Sequence, residues 1–394
     1  MTLLTADLLS TTGSEMTAVA LPWFVLVSTG SPVRMGAVLA AEFAGIALLG
    51  IPGGRLAGAL GMRSTMIASD LARSILIALI PVLYWAGELG LPVLLTVGFL
   101  IGGFFTAHQA SQQSVLAAVS GGDELALTRV GGVLGAANET ASFVGPALGG
   151  ILVTVIGAAS VLLLDAVSFL VSAALVFAAT AGLRTSRVSR ARLARTGETH
   201  MRLFDGLRWL RTDKRLRRRI AGLAVAQIAF TALIATIPVA ARSRYHAGAS
   251  LAGWLLASYG AGSAVGGLLS ATARRTGGRI ADLGMVGLAV SLWPLVTPLP
   301  SAGVAACIAA NGVCSGLVYP RLFAALTLQP PERLRSLVVA SATTMLSVTG
   351  PIGFLAAGLL LGRAGSVTLA FLLVAGSATI GSVIALSARA APDS

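Results

Sequence analysis

Long apolar runs, broken by short polar stretches, set the pattern of this chain. Twelve runs can be read: Leu3 to Val27, Met35 to Leu60, Thr65 to Trp85, Leu91 to Ala110, Leu125 to Val155 and Ser160 to Gly182, then Ile220 to Ala241, Leu251 to Ala273, Ile280 to Pro298, Ala302 to Leu326, Leu337 to Leu361 and Ser366 to Ala388. A helix needs roughly 20 apolar residues to cross about 30 Å of hydrocarbon, and each run is near that length. The pattern predicts an all-α membrane protein with twelve transmembrane helices in two pseudo-symmetric six-helix halves. The halves are residues 1–182 and 220–394, joined by 183–219.

The joining segment changes the picture most. Arg184 to Arg219 holds 13 of the 28 basic residues. Short arginine-rich loops resist translocation, so this segment and both chain ends are expected on the cytoplasmic side of the cell membrane. The other loops agree. Arg63, Arg274, Arg275, Arg279, Arg333 and Arg335 fall on the same side, with Arg55 near its loop and Arg389 at the tail, whereas the opposite side holds Arg34, Arg242, Arg244 and Arg363. Within the segment, Met201, Phe204, Leu207, Leu210 and Leu216 alternate at helical spacing with Arg202, Arg208, Arg211 and Lys214. That predicts an amphipathic helix lying on the inner membrane surface against anionic lipid.

Composition fits this picture. Hydrophobic residues make up 56% and charged residues 11%, with mean hydropathy +0.87. The net charge of +13 belongs to loops facing one side, with no interleaved aromatic module for RNA, so no nucleic-acid partner is expected. Met1 to Asp7 carries no basic n-region and Glu15 interrupts any h-region, so no signal peptide is read and the first span begins at once. Cys307 and Cys314 share one span at a separation of about 10 Å, too far for a disulfide.

The halves also repeat. Gly145-Pro146 followed by Gly149-Gly150 in the fifth span matches Gly350-Pro351 followed by Gly353 in the eleventh, about 205 residues later. Two such halves are the plan of transporters whose substrate site lies between them near the midplane. Four further stretches carry a more specific likeness: Gly54-Arg55-Leu56-Ala57-Gly58-Ala59-Leu60-Gly61-Met62-Arg63, then Ser69-Asp70-Leu71-Ala72-Arg73, Asp205-Gly206-Leu207-Arg208-Trp209-Leu210-Arg211, and Gln329-Pro330-Pro331-Glu332-Arg333-Leu334-Arg335. In this order and spacing the chain resembles the major facilitator superfamily, within it the branch of macrolide and multidrug efflux proteins and enterobactin-type siderophore exporters. The likeness departs at Gly58 and Met62, where that family's loop usually has an aspartate and an arginine. The fourth span contains no arginine, unlike many proton-coupled drug antiporters, so a proton relay here must use other groups.

The resemblance implies gating or structural roles for Gly54, Gly61, Arg63, Asp70 and Arg73. Asp70 and Arg73 are three apart and can pair on one helix face. It also matches Gly145-Pro146-Ala147-Leu148-Gly149-Gly150 to the family's antiporter motif, which implies export. On physical grounds alone, Gly145 and Gly149 form a small-residue face for close helix approach, and Pro146 removes a backbone donor. Asp165 is expected to be structural, and Arg321, near its span's inner end, to snorkel.

Glu15 has no basic residue in its own span, while Arg55 and Arg129 lie thirteen and ten residues from Glu42 and Glu139, too far to pair within one helix, and an intramembrane carboxylate is a functional candidate by default. Glu42 is the least persuasive because it lies nearer the outer surface. Glu15 lies twelve residues beyond Leu3, about 18 Å in, and Glu139 about 21 Å beyond Leu125, both near the middle of the core. They are the expected proton-coupling pair. Spans one, four, seven and ten line the cavity in this family, which implies Glu15, Phe105, Gln227, Phe230, Asn311 and Tyr319 as cavity residues. Lys214 is the only lysine and follows Asp213, so no phosphate-binding P-loop exists and ATP-driven pumping by this chain is excluded. His108, His200 and His246 are too scattered for a metal site or a catalytic triad; no cofactor and no enzymatic activity are expected.

The reading is therefore a monomeric secondary transporter, a proton-coupled exporter of small amphipathic compounds (drug, multidrug or macrolide-like efflux) by alternating access. One alternative is an exporter dedicated to a single siderophore or natural product. Another, kept alive by Gly58, is a receptor or scaffold with this fold that does not transport.

Overall fold

The computed structural model describes residues 2–119, 124–179, 204–272, 277–331 and 334–387. Residues 183–203 of the basic segment, with Arg274, Arg275, Arg333 and Arg389, lie outside them.

The first half contains α1 (Thr2–Thr29), α2 (Pro32–Leu60), α3 (Met62–Trp85), α4 (Leu91–Val119), α5 (Glu124–Ile156) and α6 (Ala158–Ala179). A short helix, α7 (Phe204–Thr212), leads into the second half. There follow α8 (Lys214–Ser243), α9 (Ala249–Thr272), α10 (Gly277–Val290), a 3-10 turn at Trp293–Val296, α11 (Ser301–Leu328), α12 (Arg335–Val348), α13 (Gly350–Arg363) and α14 (Val367–Leu386). Local chemistry sets several ends. Gly61 and Gly157 take positive φ at the α2–α3 and α5–α6 turns, where a side chain would be strained. Asp213 caps α8 by accepting a hydrogen bond from the Leu216 N–H at 2.9 Å.

Among the described residues, nine helical stretches are long and apolar enough to cross a membrane, α12 and α13 counting together. The shorter apolar stretch Ile280–Val296, with α1 and α9, completes the twelve. Both α1 and α9 are diluted by Thr, Ser and Gly, which suits helices that face neighbours more than lipid.

The two halves obey one packing plan. In the first, α5 lays Gly145 and Gly149 against Glu15 and Met16 of α1, and Gly150 against Ala249 and Gly253 of α9, in the other half. In the second, α13 lays Gly353 against α8 at Ile228 and Thr231, and Gly358 against Pro32 and Gly36 of α2, again across the seam. Each Gly-Pro helix therefore touches the first helix of its own half and an interface helix of the other. The two seams, α5–α9 and α2–α13, concentrate at the end of the bundle away from α7. Their closest points are glycine against backbone, where no side chain could fit without pushing the halves apart.

Two expectations need correction. The eleventh span is two helices rather than one, broken at Thr349. The Thr349 hydroxyl bonds the carbonyls of Leu346 (3.0 Å) and Ala224 (2.6 Å), and Pro351, lacking an N–H, sits in the first turn of α13. By contrast, α5 continues as one helix through Pro146. The linker helix also differs. The apolar face of α7 is spent on protein: Leu210 is buried, Trp209 and Leu207 are half-buried, and Gly206 lies against the Leu337 carbonyl of α12. Leu210 joins a core with Leu216, Ile220, Val338 and Ala342, while Arg208 and Arg211 remain exposed.

Candidate functional site

A cavity of about 430 Å³ opens below the α5–α9 seam, on the side nearer α7. Most of its wall comes from the second half. Gln227 and Phe230 of α8, Tyr259 and Ser263 of α9, and Asn311, Ser315, Tyr319 and Phe323 of α11 line it. The helices meet there because glycines let backbones touch: Gly312 lies against the Tyr259 carbonyl and Gly316 against that of Ser263. The same close packing fixes the polar side chains. Tyr259 donates to Ser315 Oγ at 2.8 Å, Tyr319 donates to Gln227 Oε1 at 3.3 Å, and the rings of Phe230 and Tyr259 stand 5.0 Å apart. Asn311 Nδ2 is committed to α10, donating to the Leu288 carbonyl (3.0 Å) and Ser291 Oγ (3.1 Å).

Among the described residues, the first half contributes one lining residue, Glu139 of α5. Its carboxylate is exposed to the cavity and accepts a hydrogen bond from Ser263, across the boundary between the halves. One turn further along α5, Ser142 donates to Glu15 Oε1 of α1 at 3.3 Å, and the two glutamates are electrostatic neighbours. An aromatic wall with one carboxylate at its edge is suited to an amphipathic cation, through apolar burial, cation–π attraction and charge pairing.

The structure thus brings Glu139, Gln227, Phe230, Asn311 and Tyr319 to one cavity, with Glu15 one side chain behind. Phe105 does not join them: it sits on α4 of the first half, 37% exposed. Sequence reasoning missed Tyr259, Ser263 and Ser315. The available signal was the glycine spacing on α9 and α11, which marks close helix approach beside polar side chains.

A second polar cluster fills the core of the first half. Asp70 and Arg73 pair at 2.5 Å, both buried, and the Arg73 guanidinium stacks 4.2 Å from the Phe169 ring centroid. Ser172 of α6 donates to the other Asp70 oxygen at 2.8 Å. Such a pair tolerates loss of one partner poorly, because the other is left as an uncompensated buried charge. Asp165 accepts from Thr17 (2.6 Å) and Ser168 (3.1 Å), tying α6 to α1. Glu42, on α2 where it packs against Gly98 and Gly102 of α4, has Asp165 as its charged neighbour. Arg63 bonds the Phe177 carbonyl at 3.2 Å and lies over that ring, fastening α3 to α6 within the half. Arg321 reaches the Ser270 carbonyl at 3.3 Å, near the α7 end of α9. Gly54 lies in 51–60 of α2, whose surroundings are outside the described residues.

Two helical halves sharing a cavity, closed on one side by interdigitated glycines, define a membrane transporter rather than an enzyme. The family model of the Major Facilitator Superfamily matches residues 3–282, and the chain belongs to that superfamily. It is 24% identical over 385 residues to the multidrug efflux pump Tap of Mycobacterium tuberculosis (strain ATCC 25618 / H37Rv), covering 92% of this chain and 87% of that one. The pump of the same name from Mycolicibacterium fortuitum is 25% identical over 374 residues, covering 92% and 89%. Solved structures share the fold at lower identity. A bacterial homologue of the iron transporter ferroportin in an inward-facing state has a TM-score of 0.74 at 15% identity, covering 99% of this chain and 98% of that one. The D-xylose-proton symporter has a TM-score of 0.73 at 13%, covering 98% and 96%.

Proposed function

We propose that this transporter exports small amphipathic cations from the cytoplasm in exchange for protons, by alternating access and as a monomer. The observation that carries the reading is Glu139, a carboxylate of the first half hydrogen-bonded to Ser263 inside an aromatic-lined cavity of the second. A cation at Glu139 competes with Ser263 and so bears on how the halves meet. Glu15 and Glu139 are the proton-coupling pair in this reading, since they are neighbouring carboxylates linked through Ser142, one of them open to the cavity. The relatives named as multidrug efflux pumps support export. Units 1–182, 183–219 and 220–394 act as first half, linker and second half, with Gly145, Pro146, Gly149 and Gly150 setting the seam that opens and closes.

The exposed basic residues of α7 and early α8 support placing that end, and both termini, in the cytoplasm of an inner-membrane protein. The cavity then faces inward. Exposed Arg208 and Arg211 contact anionic headgroups in this reading, and each is worth about 1 kcal/mol at such a surface. Replacing both with glutamine should weaken the protein's preference for anionic over neutral nanodiscs in exchange measurements. An unchanged preference would remove lipid contact from the account.

Transport itself is tested in an efflux-deficient host, with ethidium as the probe. Cells making the protein should accumulate less ethidium than controls, and a protonophore should abolish the difference. Equal accumulation across a panel of lipophilic cations would instead favour a dedicated substrate or a non-transporting role.

A further inference from the structure

The cluster in the first half contains a group that neither the cavity nor the helix packing uses. His108 of α4 is 6% exposed, and its Nδ1 lies 3.0 Å from Asp70 Oδ1 of α3. The approach is off the direction of a hydrogen bond, and Nδ1 has no other hydrogen-bond partner. Among the described residues, two further buried polar atoms here are also unpartnered, Arg73 Nε and Asp7 Oδ2. Asp7 of α1 takes one bond, from Gln112 Nε2, which stands one helical turn beyond His108 on α4. Asp7 also interacts electrostatically with His108, Asp70 and Arg73. Buried polar groups in native proteins are nearly always satisfied, so three open valences in one cluster mark a place where hydrogen bonding changes hands.

Charge counting points the same way. Among the described residues, Arg73 is the one guanidinium in electrostatic reach of Asp7, Asp70 and Asp165. One fixed positive charge against three carboxylates leaves a negative excess inside a bundle surrounded by hydrocarbon. An isolated buried charge of that kind is relieved by taking up a proton. Besides α3, α4 packs mainly along α2, whose carboxylate Glu42 interacts with Asp165 rather than with His108, and more slightly against α5, whose described carboxylate Glu139 faces the cavity.

We infer that His108, with Asp7 and Asp70, forms a proton-binding site of the transport cycle, separate from the substrate cavity. The step is a proton transfer without electron transfer. The N–H bond at His108 Nδ1 breaks as an O–H bond forms on Asp70 Oδ1, 3.0 Å away; that O–H bond in turn breaks as one forms on Asp7, the electrostatic neighbour of both, and Arg73 pairs again with the Asp70 anion. Asp7, half-exposed and five residues into α1, then passes it to water at the α7 end. The inference rests on the reading of this protein as proton-coupled.

His108→Gln keeps a polar side chain but removes the titrating group. The test uses reconstituted full-length protein with ethidium as probe and a pH dye in the lumen. Ethidium exchange across vesicles at equal pH, which needs no net proton movement, should match the parent and shows that the variant is folded. Accumulation driven by a pH gradient, with its lumenal pH change, should be lost, and Asp7→Asn should behave alike. Gradient-driven accumulation by His108→Gln equal to the parent overturns the inference, even if Glu15 and Glu139 prove essential. Loss in His108→Gln with Glu15→Gln and Glu139→Gln unaffected sustains it and removes the glutamate pair instead. Should the parent itself ignore the gradient, nitrogen NMR of histidine-labelled protein decides. With His200→Gln and His246→Gln, one imidazole remains, and its nitrogen signals should differ between the parent background and Asp7→Asn. Identical signals in the two also overturn the inference.

Discussion

Replacing Gly150 with leucine is expected to hold the two halves apart at the end away from α7 and to stop transport, while all spans still insert. A Cβ at that position would stand 2.7 Å from the Ala249 carbonyl and 2.9 Å from the Gly253 Cα. Both obstacles are backbone, so neither can rotate away, and the seam must open to admit any side chain. Loss of probe transport of at least about tenfold is expected, because the closed arrangement is a required stage of alternating access and a tenfold penalty is only about 1.4 kcal/mol. Gly376→Ala, at a glycine with open space around it, should transport like the parent. The conformational consequence is separately measurable. In a background with Cys307 and Cys314 replaced by serine, Ser142→Cys should react with an impermeant thiol reagent from the far side only when Gly150 is leucine. Normal transport by Gly150→Leu would show that this seam does not close during the cycle.

Glutamine at Glu15 or Glu139 is expected to uncouple the protein. Glutamine mimics a permanently protonated side chain, so the variants should still exchange ethidium across vesicles at equal pH but fail to accumulate it against a gradient. The two positions should differ in one respect. Glu139 lines the cavity and should also weaken ethidium binding when neutralised, whereas Glu15 sits behind Ser142 and should leave binding near that of the parent. Tryptophan-quenching titrations of detergent-solubilised protein read this difference. Equal binding and equal gradient response in both variants and in the double variant would place coupling elsewhere.

The gross architecture was legible because hydrocarbon imposes a simple rule on every span. Runs of apolar residues, a basic linker and two Gly-Pro repeats are one-dimensional signals, and the helices follow them closely. The break at Thr349 was not legible: Gly350-Pro351 reads like Gly145-Pro146, and what splits the eleventh span is a threonine hydroxyl bonded to the Ala224 carbonyl of α8. For α7, the amphipathic pattern gave the helix but not its neighbour, since an apolar face fits protein as well as lipid. Gln227, Phe230, Asn311 and Tyr319 were found through resemblance, whereas Tyr259 and Ser263 were masked by the Gly, Ala and Ser around them on α9. Nor could spacing along the chain bring His108 to Asp70, because that meeting is made by the packing of α3 on α4.

The most direct test of proton-coupled export is ethidium uptake into proteoliposomes with an acidic lumen, the membrane potential clamped at zero by potassium and valinomycin. Protons leaving down their gradient should draw ethidium inward above equilibrium, and the lumenal dye should report alkalinisation that scales with uptake. Ethidium that equilibrates across the membrane to the same level whether or not the gradient is present would contradict the account.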